Sequence, residues 1–179
     1  LPAVRRGVDH VIALGRRVMA IEEVAVPVIA AVAGDVFGGG AELLTLCDMV
    51  LMEAHATQRF VHSKMGLVPA WGGTTRLCER VGDLRAAALL MSAEPIAAER
   101  AVALGLANEV VPEGAALTRA LDVVSELSQQ PRSAITPIKA SLLARRPARR
   151  GTALTDEAEV FRGAWGSPAN LAALARVTK

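Results

Sequence analysis

The sequence predicts an α/β chain: a parallel βα unit followed by a helical tail. Three observations carry this. The apolar run at residues 28–32 is strand-like, and glycines at Gly38, Gly39 and Gly40 lead from it into a helix-type run over 42–47. A second apolar run, 48–52, follows at once, and strand, helix, strand in so short a stretch is a βαβ crossover. After Pro112 the apolar residues recur at helical spacing to the end of the chain.

The elements follow in order. Val8, Val11, Ile12, Leu14, Val18, Met19 and Ile21 predict a first helix over 8–21. Pro27 opens the first strand, which ends at Ala33 and Gly34. Residues 58–73 contain the breakers Gly66, Pro69, Gly72 and Gly73, and read as a long connection of the kind that lines a site. Helices are predicted over 74–81, over 84–91 and, after Pro95, over 96–104, where Gly105 suits a helix end. Residues 108–111 are extended and closed by Pro112. Residues 117–127 are amphipathic, with Leu117, Leu121, Val124 and Leu127 on one face. Further helices are expected over 135–144, 155–165 and 169–177, with Pro168 suited to a first helical position. This divides the chain into a partial α/β core, 1–112, and a C-terminal helical region, 113–179. Two parallel strands cannot bury both faces of a sheet, so the core reads as incomplete at its N-terminus.

Composition excludes several classes. Hydrophobic residues make up 52% of the 179, yet no run is long and apolar enough to cross a bilayer. The chain shows no signal peptide, and Leu1 is not a natural start, so a fragment or processed form is expected. A net charge of +2 argues against nucleic-acid binding. Arg145, Arg146, Arg149 and Arg150 cluster around Pro147, as a solvated loop or as a contact for a phosphate-bearing ligand or another subunit. Cys47 and Cys78 have no partner at ligand spacing, and His10, His55 and His62 are scattered. No metal site follows, and two reduced thiols suit the cytosol.

The glycine turn carries the chemistry. A glycine in an ordered element costs roughly 0.5–1 kcal/mol relative to alanine, so consecutive glycines need a reason. Backbone N–H groups brought close to a bound oxygen supply one, because those at a helix start have no intrahelical partner. Glu42 follows Gly39 by about one helical turn, in reach of the same place.

Landmarks flanking this turn resemble a known family. Pro27-Val-Ile-Ala-Ala-Val-Ala-Gly34 with Gly38-Gly-Gly-Ala-Glu-Leu43, then Cys47-Asp48, is similar to the signature of the crotonase superfamily of enoyl-CoA hydratases and isomerases. Gly66-Leu-Val-Pro69, Gly72-Gly-Thr-Thr-Arg-Leu77 and Ile96-Ala-Ala-Glu-Arg-Ala-Val-Ala-Leu-Gly-Leu106 with Glu109-Val-Val111 follow in the family's order. The resemblance implies a crotonase-like spiral of ββα turns with a helical trimerisation region, and a homotrimer or hexamer. It implies an acyl-CoA thioester as substrate, with no metal and no redox cofactor. Two backbone N–H groups are then expected to grip the thioester oxygen. Gly39 matches one; the other lies upstream of this chain, with most of the CoA-binding segment.

Glu42 matches the first of the family's two glutamates, and the second position holds His62. Hydration in this family uses both carboxylates, so the histidine argues against it. Arg59-Phe-Val-His-Ser-Lys-Met-Gly66, Trp71 and Trp165-Gly-Ser-Pro-Ala-Asn-Leu171 resemble the family's branch that decarboxylates ethylmalonyl-CoA, or methylmalonyl-CoA, as a metabolite repair. A hydratase or isomerase, or an impaired fragment with a structural role, are the alternatives. Loss of CO2 leaves a thioester enolate, whose oxygen needs donors and whose carbon needs a proton. His62 is expected to supply that proton, or else to bind the substrate carboxylate or fill the wall. Glu42 is expected to act directly or to orient a partner; as a first-turn acid it would merely stabilise its helix by about 0.3–1 kcal/mol. Phe37, Gly38, Pro69, Trp71 and Gly72 are expected to line the acyl pocket, with core packing as the alternative for Trp71.

Overall fold

Short strand pairs alternating with helices build the molecule. The computed structural model describes residues 2–145 and 150–177. The first helix, α1 (Pro2–Met19), continues as a 3-10 turn, Ala20–Glu23. Strand β1 (Ile29–Val32) is followed by β2 (Val36–Phe37) and α2 (Gly39–Leu44). Strand β3 (Met49–Glu53) is followed by β4 (Thr57–Arg59), a 3-10 turn at Val61–Met65 and α3 (Gly73–Val81). Helix α4 (Asp83–Ser92) leads to β5 (Ile96–Ala97), α5 (Ala98–Leu104) and β6 (Glu109–Val111). The tail is α6 (Ala116–Ser128), α7 (Arg132–Ala144), α8 (Arg150–Ala164) and α9 (Pro168–Val177).

Two three-stranded sheets result. One is parallel in the order β1-β3-β6, with Ala30 opposite Val50 and Met52 opposite Val110. The other is β2-β4-β5, parallel between β2 and β4 and antiparallel between β4 and β5. Each ββα turn therefore places its first strand in one sheet and its second in the other, as the spiral requires. The central strand β3 is buried on both faces from Val50 to Met52, which is why it reads as an unbroken apolar run. Val50, Met52, Phe60, Leu77 and Ile96 share one core, while Leu51 packs with Ala120 and Val123 of α6.

The structure corrects several expectations. Residues 96–97, expected to begin a helix, form β5, and the connection over 58–73 contains the end of β4 and a 3-10 turn. These strands are two or three residues long, too short for any alternation to register. The first sheet has three strands because residues 109–111 join it. Leu117, Leu121 and Val124 face outward, and α6 instead buries Ala116, Ala120 and Val123, since small side chains allow close approach to the sheet. Arg150 belongs to no solvated loop. It is 8% exposed and pairs with Glu22 at 2.8 Å and Glu79 at 3.2 Å. Arg146 and Arg149 lie outside the described residues. Gly105 ends α5 with φ +75°, as expected for a glycine cap. Among the described residues no helix is long and apolar enough to cross a membrane, and no three His, Cys, Asp or Glu side chains are grouped to hold a metal.

Candidate active site

The glycine turn, the 3-10 turn after β4 and the loop before α3 converge at one place. Gly38 caps α2 in a backbone conformation (φ +52°) that side chains rarely adopt, and its N–H donates to Arg59 O at 3.0 Å. Gly39 is thereby set as the first residue of α2, where a backbone N–H has no intrahelical partner. Glu42, 2% exposed, projects from the same helix. Its Oε1 lies 3.0 Å from His62 Nε2, on the 3-10 turn. Its Oε2 accepts the N–H groups of Trp71 at 2.7 Å and Gly73 at 3.0 Å, and Ala70 N–H reaches Oε1 at 3.4 Å. Both oxygens therefore face donors, which suits an ionised, acceptor-only carboxylate.

That arrangement fixes the histidine. An acceptor at Nε2 requires the proton to be on Nε2, so the neutral imidazole presents Nδ1 as a bare lone pair. Nδ1 is buried and has no hydrogen-bond partner among the described residues. When the ring carries two protons, the Nδ1 proton is the one not engaged by Glu42.

A cavity of about 250 Å³ opens here, with Gly38, Gly39, Glu42, His62 and Trp71 in its wall. The rest of the wall is apolar: Val11 from α1, Val61, Met65, Leu67 and Ala70 from the loop, and Phe161 and Trp165 from α8 and its end. Among the described residues no lysine or arginine lines it. The Phe161 and Trp165 rings lie 5.5 Å apart at a tilt of 45°. Trp71 is wedged between α1 and the glycine turn, with Nε1 donating to Val11 O at 3.2 Å. A Cβ on Gly39 would come within 2.8 Å of its ring, and one on Gly15 within 2.2 Å. Two glycines far apart in sequence thus form a slot for one indole.

Of the residues expected from the sequence, Gly38, Gly39, Glu42, His62 and Trp71 meet at the cavity; Phe37, Pro69 and Gly72 do not line it. Phe37 is 50% exposed on β2, whose pleat turns it away. Gly72 faces Arg76 and Leu154. Arg76 donates to Trp71 O at 2.9 Å and pairs with buried Glu22 at 2.7 Å, so it holds the loop. Trp165 and Phe161 were invisible as wall residues, although the Trp-Gly-Ser-Pro motif marked the region.

A second buried carboxylate lies behind the loop. Glu157 of α8 accepts the N–H groups of Thr74 and Thr75, at 3.3 and 3.1 Å, in the first turn of α3. Burial, above all, holds its carboxyl above the ordinary 4.5, opposed by the Thr75 N–H, with the charge of Glu42 pushing it further up. The folded state thus keeps a proton that the unfolded chain releases, so this group's contribution to stability falls as pH rises from about 4.5 through the folded value. Glu157→Gln is expected to remove that slope. Urea midpoints across pH for both proteins check it, and parallel curves reject it.

A two-sheet ββα spiral with a cavity at its glycine turn and a buried acid in the cavity wall defines the class: an α/β protein of the ββα-spiral type. The pattern that describes the enoyl-CoA hydratase/isomerase family matches residues 13–167, and the chain belongs to that family. Among known proteins it is similar to ethylmalonyl-CoA decarboxylase of Gallus gallus, 42% identical over 154 residues, covering 84% of this chain and 52% of that one. It is also similar to the Rattus norvegicus enzyme of the same name, 38% identical over 154 residues with the same coverage. The chain spans about half the length of these curated relatives. Its fold matches an enoyl-CoA hydratase from Mycobacterium avium subsp. paratuberculosis K-10, with TM-score 0.88 and 28% identity over 96% of this chain and 71% of that one. Pseudomonas aeruginosa OdaA matches with TM-score 0.83 and 30% identity, over 89% of this chain and 65% of that one.

Proposed function

We propose that the protein carrying this chain is an acyl-CoA carboxy-lyase acting on a 2-carboxyacyl-CoA such as ethylmalonyl-CoA or methylmalonyl-CoA. The observation that carries this reading is the buried Glu42–His62 pair, 3.0 Å apart, with His62 in the cavity wall and its Nδ1 buried without a hydrogen-bond partner among the described residues. In the reaction the bond from the α-carbon to the carboxylate breaks. CO2 leaves, and the electron pair spreads onto the thioester oxygen. The Gly39 N–H serves as one donor to that oxygen, and a single such donor is typically worth ~10²–10³ in rate. His62 acts in its doubly protonated form: the Nδ1 proton passes to the α-carbon, the ring is left as the neutral Nε2–H tautomer held by Glu42, and a proton from water restores Nδ1–H before the next turnover. The otherwise apolar wall, with no lysine or arginine among the described residues that line it, favours release of neutral CO2 over a buried carboxylate.

The similarity to the named decarboxylases supports the substrate class. The outward Leu117, Leu121 and Val124 of α6 support assembly into a homotrimer or hexamer. Two assays on the full-length protein test the reaction: CO2 release from ethylmalonyl-CoA and hydration of crotonyl-CoA. CO2 release with little hydration is expected, and robust hydration without CO2 release overturns the proposal in favour of a hydratase.

A further inference from the structure

The motif around Trp165 has a use beyond supplying a wall. Asn170 of α9 is 2% exposed, far from β4 in sequence, and is not itself one of the residues lining the cavity. Its Nδ2 donates to Met65 O at 2.8 Å, at the last residue of the 3-10 turn that bears His62. Its Oδ1 accepts Gly166 N–H at 3.0 Å, which ties the same side chain to the approach to α9. Ser167 Oγ accepts Asn170 N–H at 3.2 Å and caps the helix. The two backbones meet closely: a Cβ on Gly66 would lie 2.7 Å from Ala169 C and from Asn170 N.

His62 itself is held by little. Among the described residues its ring makes one polar contact, to Glu42, and Nδ1 makes none. Ring direction is therefore set by the backbone of its turn, and the far end of that turn hangs on Asn170. We infer that Asn170 is the positioning residue for His62, acting through the Met65 carbonyl so that Nε2 meets Glu42 and Nδ1 stays free. The inference rests on the proposed role of His62 for its kinetic consequence, but not for its structural one.

The test uses the full-length protein with ¹⁵N-labelled histidine, the His62 signals being assigned by their loss in His62→Gln. The wild type is expected to show one neutral tautomer for His62, protonated at Nε2. Asn170→Ala is expected to give a mixture of tautomers. Asn170→Asp, which keeps the acceptor for Gly166 but turns an anion toward Met65 O, is expected to do the same and serves if the alanine variant does not fold. In turnover, either substitution should lower kcat by up to about 10²-fold, the scale of an ångström-level misplacement, with KM nearly unchanged. In a His62→Gln background the further loss should vanish, because both changes remove one function. Retention of the single Nε2–H tautomer in both Asn170 variants overturns the inference, as does a kcat loss that adds in full to that of His62→Gln. If the protein releases no CO2 at all, the tautomer measurement still decides the matter.

Discussion

His62→Gln is expected to reduce kcat for CO2 release by about 10²–10⁴, the range of one positioned proton donor. Glutamine can still offer an N–H to Glu42, so the variant removes the proton and leaves the contact. Stability should change little, because the ring makes one hydrogen bond and its Nδ1 makes none. The enolate formed without its donor must be protonated by water. Running the reaction in D2O and recording the stereochemistry of the deuterated acyl product therefore reads the loss of a one-sided donor. A kcat within a few-fold of wild type, with one stereoisomer retained, rejects the assignment of His62 and leaves it as a wall residue.

Glu42→Ala is expected to be the most destabilising single change at the site. Its carboxylate serves the buried N–H groups of Trp71 and Gly73 and the His62 ring, with a weaker contact to Ala70. A buried group left without its partner costs about 1–3 kcal/mol, so three such groups imply a loss of about 3–5 kcal/mol once partial collapse is allowed for. The loop over 67–73 would loosen first, since these bonds anchor it to α2. Denaturant midpoints measure the loss, and limited proteolysis locates it. Asp48 offers a contrast: it is more exposed, yet it accepts Val28 N–H at 2.7 Å and pairs with Lys139 at 2.8 Å on the far side of the sheet. A loss for Glu42→Ala within about 0.5 kcal/mol, as at ordinary surface positions, would show that water replaces these contacts.

Much of the fold was legible where elements are long. The strands at 29–32 and 49–53 and the helices over 73–81, 83–92, 116–128 and 168–177 coincide with apolar periodicity and with glycine or proline boundaries. The second sheet was not legible, because its strands hold two or three residues and owe their form to pairing with each other. Helix α6 shows a different failure. Its large apolar residues form a clear stripe, but of these Leu117, Leu121 and Val124 face outward, only Leu127 packs toward the sheet, and Ala116, Ala120 and Val123 make the buried side. Periodicity identifies a helix without saying which apolar face this chain buries.

The site divides in the same way. Gly38, Gly39 and Glu42 belong to one short segment, so their proximity follows from local geometry: a glycine turn followed by one helical turn. His62 could be singled out by its residue type at a motif position, but its distance to Glu42 could not. That Glu42 also holds the Trp71 loop, that Gly15 and Gly39 together admit one indole, and that Asn170 reaches the turn of His62 were decided by the tertiary structure alone. The physical reason is separation along the chain. Hydrogen bonds and contacts between residues tens of positions apart depend on how the two sheets and the C-terminal helices close on each other, and no local pattern of side chains encodes that closure. What the sequence determined by itself is the βα unit, the glycine turn with Glu42 one helical turn on, and a histidine in the connection before Gly66; what the structure decided is which atom of that imidazole lacks a partner among the described residues.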